Sequence, residues 1–136
     1  SGIGTTLSAN PLQFACMKAT LTEVMTEKNY LHMEKLAARL ASGLSEAIAE
    51  AKLPWHVARV GARVEFICAP GPLRNGTEAE RAHAPALEAA IHVGLVNRGC
   101  LIAPFHNMML VSPGTKKKQI DRLVDAFGEI CGELAG

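Results

Sequence analysis

The chain has little to offer a polyanion or a bilayer. Its 14 Lys and Arg are nearly balanced by 13 Asp and Glu, a formal net charge of +1. That leaves no broad positive field for nucleic acid or anionic lipid. Aromatic residues make up only 4%, too few for a base-stacking platform. No apolar run approaches the ~20 residues that span a membrane. No charged segment leads into an apolar stretch as a secretory leader would. These absences set the expectation of a cytoplasmic protein with no nucleic-acid and no membrane partner.

Familiar catalytic signatures are missing as well. His32, His56, His83, His92 and His106 form neither HxH nor HExxH, so no zinc-type spacing arises. There is no GxSxG elbow and no Walker loop, and Gly2-Ile3-Gly4 lacks the strand–turn–helix setting of a dinucleotide fingerprint. Cys16, Cys68, Cys100 and Cys131 are scattered, with no CxxC. They read as buried, reduced thiols behaving as small hydrophobes rather than as a metal or disulfide framework.

What remains is a chain of 136 residues, 49% of them hydrophobic, enough for one folded unit with a real core. Asn10-Pro11 is a helix start, with Asn as cap and Pro at the first turn. The helix it opens is apolar nearly all round and is expected to be well buried. A second helix is expected from about Glu27 to Lys52, its stripe formed by Leu31, Leu36, Leu40, Leu44 and Ile48. Two strands are expected at His56–Val60 and Ala62–Ala69 around Gly61; Val64, Phe66 and Cys68 alternate with charged or outward positions. A helix from about Thr77 to Asn97, started or kinked at Pro85, ends at Arg98-Gly99. Cys100–Ala103 and Met108–Val111 read as two further short strands. Thr115 is expected to cap a last helix through about Leu134, with Ile120, Leu123, Val124, Phe127 and Ile130 inward. The sum is an α+β unit, a small antiparallel sheet of about four strands with helices packed on one face, preceded by a long apolar N-terminal helix.

Two places stand out for chemistry. Gly4-Thr5-Thr6-Leu7-Ser8-Ala9-Asn10-Pro11 sets the hydroxyls of Thr5, Thr6 and Ser8 just ahead of a helix N-terminus, where free amides and the helix dipole suit phosphate. The alternative is that they serve only the helix cap, which Asn10 already supplies. His106 sits in a loop between two apolar segments, where groups that line pockets tend to lie. Lys116-Lys117-Lys118 reads as a solvated face, and Asn75-Gly76-Thr77 as a turn.

The segment TTLSANPLQFACMKATL resembles the stretch after the cofactor lysine in class III aminotransferases of the fold type I, pyridoxal-phosphate-dependent family, with a glutamate-1-semialdehyde aminomutase-like flavour. The matching positions are Thr6, Asn10, Pro11 and Leu12. Asn97-Arg98-Gly99, Leu101-Ile102-Ala103-Pro104 and Ser112-Pro113-Gly114-Thr115 continue the likeness through the rest of the chain. One departure is Thr5, where the family has a Gly that can take backbone angles Thr resists.

The resemblance implies the C-terminal portion of an enzyme that moves an amino group by lysine aldimine chemistry. Residues 1–28 would be a phosphate-proximal loop and connecting helix, and residues 29–136 a small domain. Thr6, helped by Thr5 and Ser8, would contact the phosphate of pyridoxal 5'-phosphate in a homodimer. His106 and Asn107 would line the entrance for a small amino or keto substrate. The family's Schiff-base lysine, ring-stacking aromatic and aspartate would lie upstream, so the segment alone is expected to be inactive. The other reading, from the residues alone, is a free-standing, non-catalytic α+β module that binds a partner through its apolar N-terminal helix.

Overall fold

The computed structural model describes Gly4, residues 7–103 and residues 106–136. Five α-helices and three strands are found there: α1 (Pro11–Ala19), α2 (Glu27–Glu50), β1 (His56–Val60), β2 (Arg63–Ile67), α3 (Gly76–Arg81), α4 (Pro85–Asn97), β3 (Met108–Leu110) and α5 (Lys117–Ala135). A π-helical turn, Thr20–Val24, continues α1.

The strands form one antiparallel sheet in the order β1-β2-β3. Gly61, with φ +55°, closes the two-residue hairpin between β1 and β2, a backbone region that costs a residue with a Cβ more than it costs glycine. Val64 lies opposite Met109 and Phe66 opposite Val57. Opposed residues share a face, so this is the face that meets the helices. Val64 and Phe66 are buried there, and the Phe66 ring lies 4.8 Å, centroid to centroid, from that of Phe127 on α5.

The core is built mainly by α2 and α5. Leu36, Leu40, Leu44 and Ile48 recur at helical spacing along α2 and are buried, as are Ile120, Phe127 and Ile130 on α5. That is the amphipathic stripe expected of helices with one face on a core. Leu31, assigned to the same stripe, is instead 62% exposed, because at about 100° per residue it points roughly opposite to buried Met33 and away from Leu36. Gly43 lets the two helices close up: a Cβ there would meet Val124 Cγ1 and Cγ2 at 2.7 Å.

Three expectations change and a fourth is narrowed. Cys100–Ala103 is not a strand. Its side chains alternate in and out, with Cys100 and Ile102 buried and Leu101 83% exposed, but its backbone joins no ladder among the described residues. Alternation reports an extended run over a core and is silent about a neighbouring strand. Among the described residues the sheet therefore has three strands where about four were expected.

The N-terminal helix is not buried: every residue from Pro11 to Met25 is exposed, Cys16 among them. The other three cysteines are buried or half-buried, and all four are free. Of the two outcomes expected at Pro85, a start or a kink, the structure has the start, with a separate short helix before it. Asn75 Oδ1 accepts from Glu78 N at 3.0 Å to start α3, and Pro85 starts α4 afresh after the break at Ala82–Ala84, since a proline cannot donate within a helix. Thr115 does not cap α5. Its hydroxyl accepts from Ser112 N at 3.0 Å, while the N-cap is Lys116, whose N–H donates to Gln119 Oε1 at 2.8 Å.

Gly99, at φ +74°, ends α4 as the Arg98-Gly99 pair suggested, with Cys100 N donating to Leu95 O at 2.8 Å. Arg98 then ties α4 to α5 by donating to Glu129 at 2.7 Å and Glu133 at 2.6 Å. Among the described residues no helix is long and apolar enough to cross a membrane.

Candidate functional site

The first candidate region is the turn that leads into α1. Thr5 and Thr6 lie outside the described residues, so the structure speaks only for Ser8 and Asn10. Leu7–Ala9 form a turn, with Ala9 at φ +57°, a conformation uncommon for a residue with a Cβ. Asn10 holds that turn from both sides: its Nδ2 donates to Leu7 O at 2.8 Å, and its Oδ1 accepts from Gln13 N at 3.0 Å. Phe14 N donates to Asn10 O at 3.1 Å, and Pro11 has no N–H. Of the first-turn amides that leaves Leu12 N, so an anion here would depend on hydroxyls more than on the helix end. Ser8 is exposed on this turn.

The second region gathers around β3. Asn107 is 8% exposed, the one buried polar residue among those described, and His106 beside it is exposed. Both line two adjoining cavities of about 250 and 230 Å³ that also share His83 and Glu88. Glu65 completes the first and His92 the second. Neither Ser8 nor Asn10 lines either one.

Glu88 is positioned by the Pro85 start of α4. Its Oε1 accepts from Ala84 N at 3.1 Å and stands 3.7 Å from His83 Nδ1. Burial first, and the charge of Glu88 second, push the Cys68 thiol up to about 12. Cys131 is raised to about 11 by burial alone. Thiols held this high are not nucleophiles at neutral pH.

Neither Glu88 nor His92 stands out in the sequence as a site residue. The available signal was their spacing of four on one helix, which puts both on one face of α4. Of the remaining histidines, His32 Nε2 lies 2.9 Å from Thr115 O and His56 Nδ1 2.7 Å from Ala69 O; both tie segments of the fold together. Among the described residues no group of three His, Cys, Asp or Glu could hold a metal ion.

A third and larger cavity, about 550 Å³, lies between α2, the Gly99–Ala103 segment, β3 and α5. Leu40, Ile102, Met109, Ile120 and Leu123 give it apolar walls. Arg122 reaches back from α5 to donate to Arg98 O at 2.9 Å.

No protein-family model matches the chain. It is 34% identical over 131 residues to the glutamate-1-semialdehyde 2,1-aminomutase of Thermomicrobium roseum, covering 96% of the chain and 30% of that relative. The same enzyme of Thermus thermophilus matches at 33% over 127 residues, 91% of the chain and 29% of the relative. Among solved structures, a glutamate-1-semialdehyde aminomutase of Pseudomonas aeruginosa, in complex with PMP, superposes with a TM-score of 0.93 at 46% identity, over 98% of the chain and 29% of that structure. A β-phenylalanine aminotransferase of Variovorax paradoxus shares the fold at a TM-score of 0.84 and 20% identity, over 98% of the chain and 30% of its own. The chain thus spans about 30% of the length of the curated relatives it matches. Nearly all of the chain is thus similar in sequence and in fold to glutamate-1-semialdehyde aminomutases, over less than a third of their length.

Proposed function

We propose that this chain is the C-terminal portion of a pyridoxal-phosphate-dependent aminomutase or aminotransferase that acts in the cytoplasm as a homodimer on a small amino or keto substrate. The observation that carries this reading is the match to the Pseudomonas aeruginosa aminomutase across 98% of the chain, from the N-terminal turn to α5. Residues 1–28 form a phosphate-proximal loop and connecting helix, and residues 29–136 a small domain. The same whole-chain match disfavours a free-standing binding module.

The described part of the N-terminal turn fits one edge of a phosphate cradle. The turn is exposed, it precedes a helix, and Asn10 holds it to that helix by two hydrogen bonds. Thr6, with Thr5 and Ser8 beside it, offers the hydroxyls that would receive phosphate oxygens, and Asn10 fixes their approach. When bound in the whole enzyme, pyridoxal phosphate supplies the electron-accepting ring at which the amino group is exchanged. His106 and Asn107 line the substrate entrance. The segment 105–115 holds no Arg, so a bidentate guanidinium clamp for a substrate carboxylate does not come from here. Lys18 and Lys28 are exposed on α1 and α2, as ordinary surface lysines are.

The test is to produce the chain alone and joined to the coding sequence upstream of it. The joined protein should bind pyridoxal phosphate, seen as protein-bound visible absorbance, and exchange amino groups; the chain alone should do neither. Thr6→Val in the joined protein should weaken cofactor retention on dialysis at least tenfold. An upstream sequence with no lysine-bearing domain would sink the proposal.

A further inference from the structure

The chain between α4 and β3 leads from Gly99 to His106 and Asn107, the two residues of the proposed substrate entrance. A strand within a sheet is positioned along its length by its neighbours. Cys100–Ala103 joins no ladder among the described residues, so its place is set by its start and by the burial of Ile102. Ile102 and Ala103 form a wall shared by two cavities: the large one between α2, β3 and α5, and the smaller one that His106 and Asn107 line. A displacement of that wall would be felt on the entrance side.

The start of the segment is gripped twice by one residue of α5. Arg122 Nη2 donates to Arg98 O at 2.9 Å, and Arg122 O accepts from Cys100 Sγ at 3.9 Å. A thiol is a weak donor, so the guanidinium bond is the stronger tie. Arg98 is where α4 ends, and a guanidinium suits the orphan carbonyls and negative dipole of a helix C-terminus. Gly99 lies between the two contacts and leaves room for them: a Cβ there would meet Arg122 Nη2 at 2.5 Å. Arg39 and Arg98 spend their guanidiniums on carboxylates. Among the described residues no carboxylate pairs with Arg122. The Arg98 side chain ties α4 to α5, whereas Arg122 reaches past it to the backbone of the outgoing segment.

We infer that Arg122 is a positioning residue for the substrate entrance: it fixes the Arg98–Cys100 turn on α5 and so sets the line along which the chain runs to His106 and Asn107. Arg122 lines neither of the two cavities that hold those residues, and it acts through the segment it holds. The inference rests on the reading of His106 and Asn107 as an entrance. The clamp is tested on the chain alone, and the entrance by turnover of the joined protein, so each can fail without the other.

The experiment records the imidazole signals of His106 and the side-chain amide signals of Asn107 by NMR in the isotope-labelled chain. Hydrogen exchange is followed at the Cys100 amide, which donates to Leu95 O. Arg122→Leu keeps an aliphatic stem and removes the guanidinium; it should shift both sets of signals and speed exchange at Cys100 at least tenfold. Arg122→Lys should return the signals toward those of the parent, since one bond to a carbonyl does not need the bidentate fork. Arg39→Leu breaks a different tie to α5 and should leave them in place, which separates positioning from a general loss of helix docking. If Arg122→Leu gives a collapsed spectrum, Arg122→Ser, polar but too short to reach Arg98 O, takes its place with the same shifts expected. Signals unmoved by loss of the guanidinium, moved as far by Arg39→Leu, or not recovered by Arg122→Lys would overturn the inference.

Discussion

The segment from Leu12 to Met25 and the facing surfaces of α2 and α5 are made of much the same apolar residues, and they meet opposite fates. In the first, Leu12, Phe14, Met17 and Leu21 are 72%, 54%, 53% and 60% exposed. In the second, Leu40, Leu44 and Phe127 are at most 1% exposed. The difference is distribution. On α2 and α5 the apolar residues form one stripe each, so two stripes can close on one another and on the sheet. On α1 they go all the way round, and no single face of the described fold can cover them. Apolar content therefore does not by itself report burial; the arrangement of a helix's apolar residues, and what lies opposite, decide it. An apolar patch of this kind marks a surface made for contact, in keeping with a chain that matches only about 30% of its relatives' length.

The sharpest way to break this comparison is a matched pair of truncations. Phe127→Ala opens a cavity beneath Phe66 and should cost about 3–5 kcal/mol. Phe14→Ala, on α1, should stay within about 0.5 kcal/mol in the same chain. Urea unfolding of both variants is the measurement, and a comparable loss for Phe14→Ala would mean that α1 is packed after all. A smaller effect is expected at the cap. Asn10→Ala removes the bonds to Gln13 N and Leu7 O and should destabilise α1 by about 1 kcal/mol. Because α1 lies outside the core, hydrogen exchange should speed up at the α1 amides and leave those of α2 and α5 unchanged. Exchange that rises equally in all three helices would tie α1 to the core.

The smallest effect concerns Arg39 on α2 and Asp121 on α5. Arg39 Nε donates to Asp121 Oδ1, and that bond, with the charge of Arg39, holds the Asp121 carboxyl below its ordinary value. A lowered folded-state value contributes stability above the unfolded-state pKa of about 3.9, and that contribution is lost as pH falls through the folded-state value. Both side chains are exposed, so the contribution is small. Asp121→Asn should lower the urea midpoint slightly at pH 6, and the difference from the parent chain should vanish in strong acid. A difference that persists there would assign the effect to packing.

Much of this division was readable in the amino acids. The stripe from Leu36 to Ile48, the start at Asn10-Pro11, the stop at Gly99 and the hairpin around Gly61 are local signals, and each is set by the residues that carry it. What escaped reading depends on distant neighbours. Cys100 and Ile102 alternate with Leu101 as a strand would, yet pairing needs another strand beside them. The exposure of α1 depends on the rest of the described fold presenting no face to it. The same holds for the sites. The cap at Asn10 was legible from Asn10-Pro11 ahead of an apolar run. The meeting of Asn107 with Glu88 and His92 was not, since it joins the segment before β3 to a helix about twenty residues earlier through the fold alone.

The two hydrogen bonds of Asn10 have a mechanical consequence. They weld the Leu7–Ala9 turn to the first turn of α1, so turn and helix swing as one rigid lever, about 13 Å long for nine residues at 1.5 Å each. Whatever body settles over the apolar sides of that lever also aims its tip. The position of Ser8 is then set by how the helix is seated along its length, and a shim under Phe14 or Met17 would be felt at the hydroxyl end.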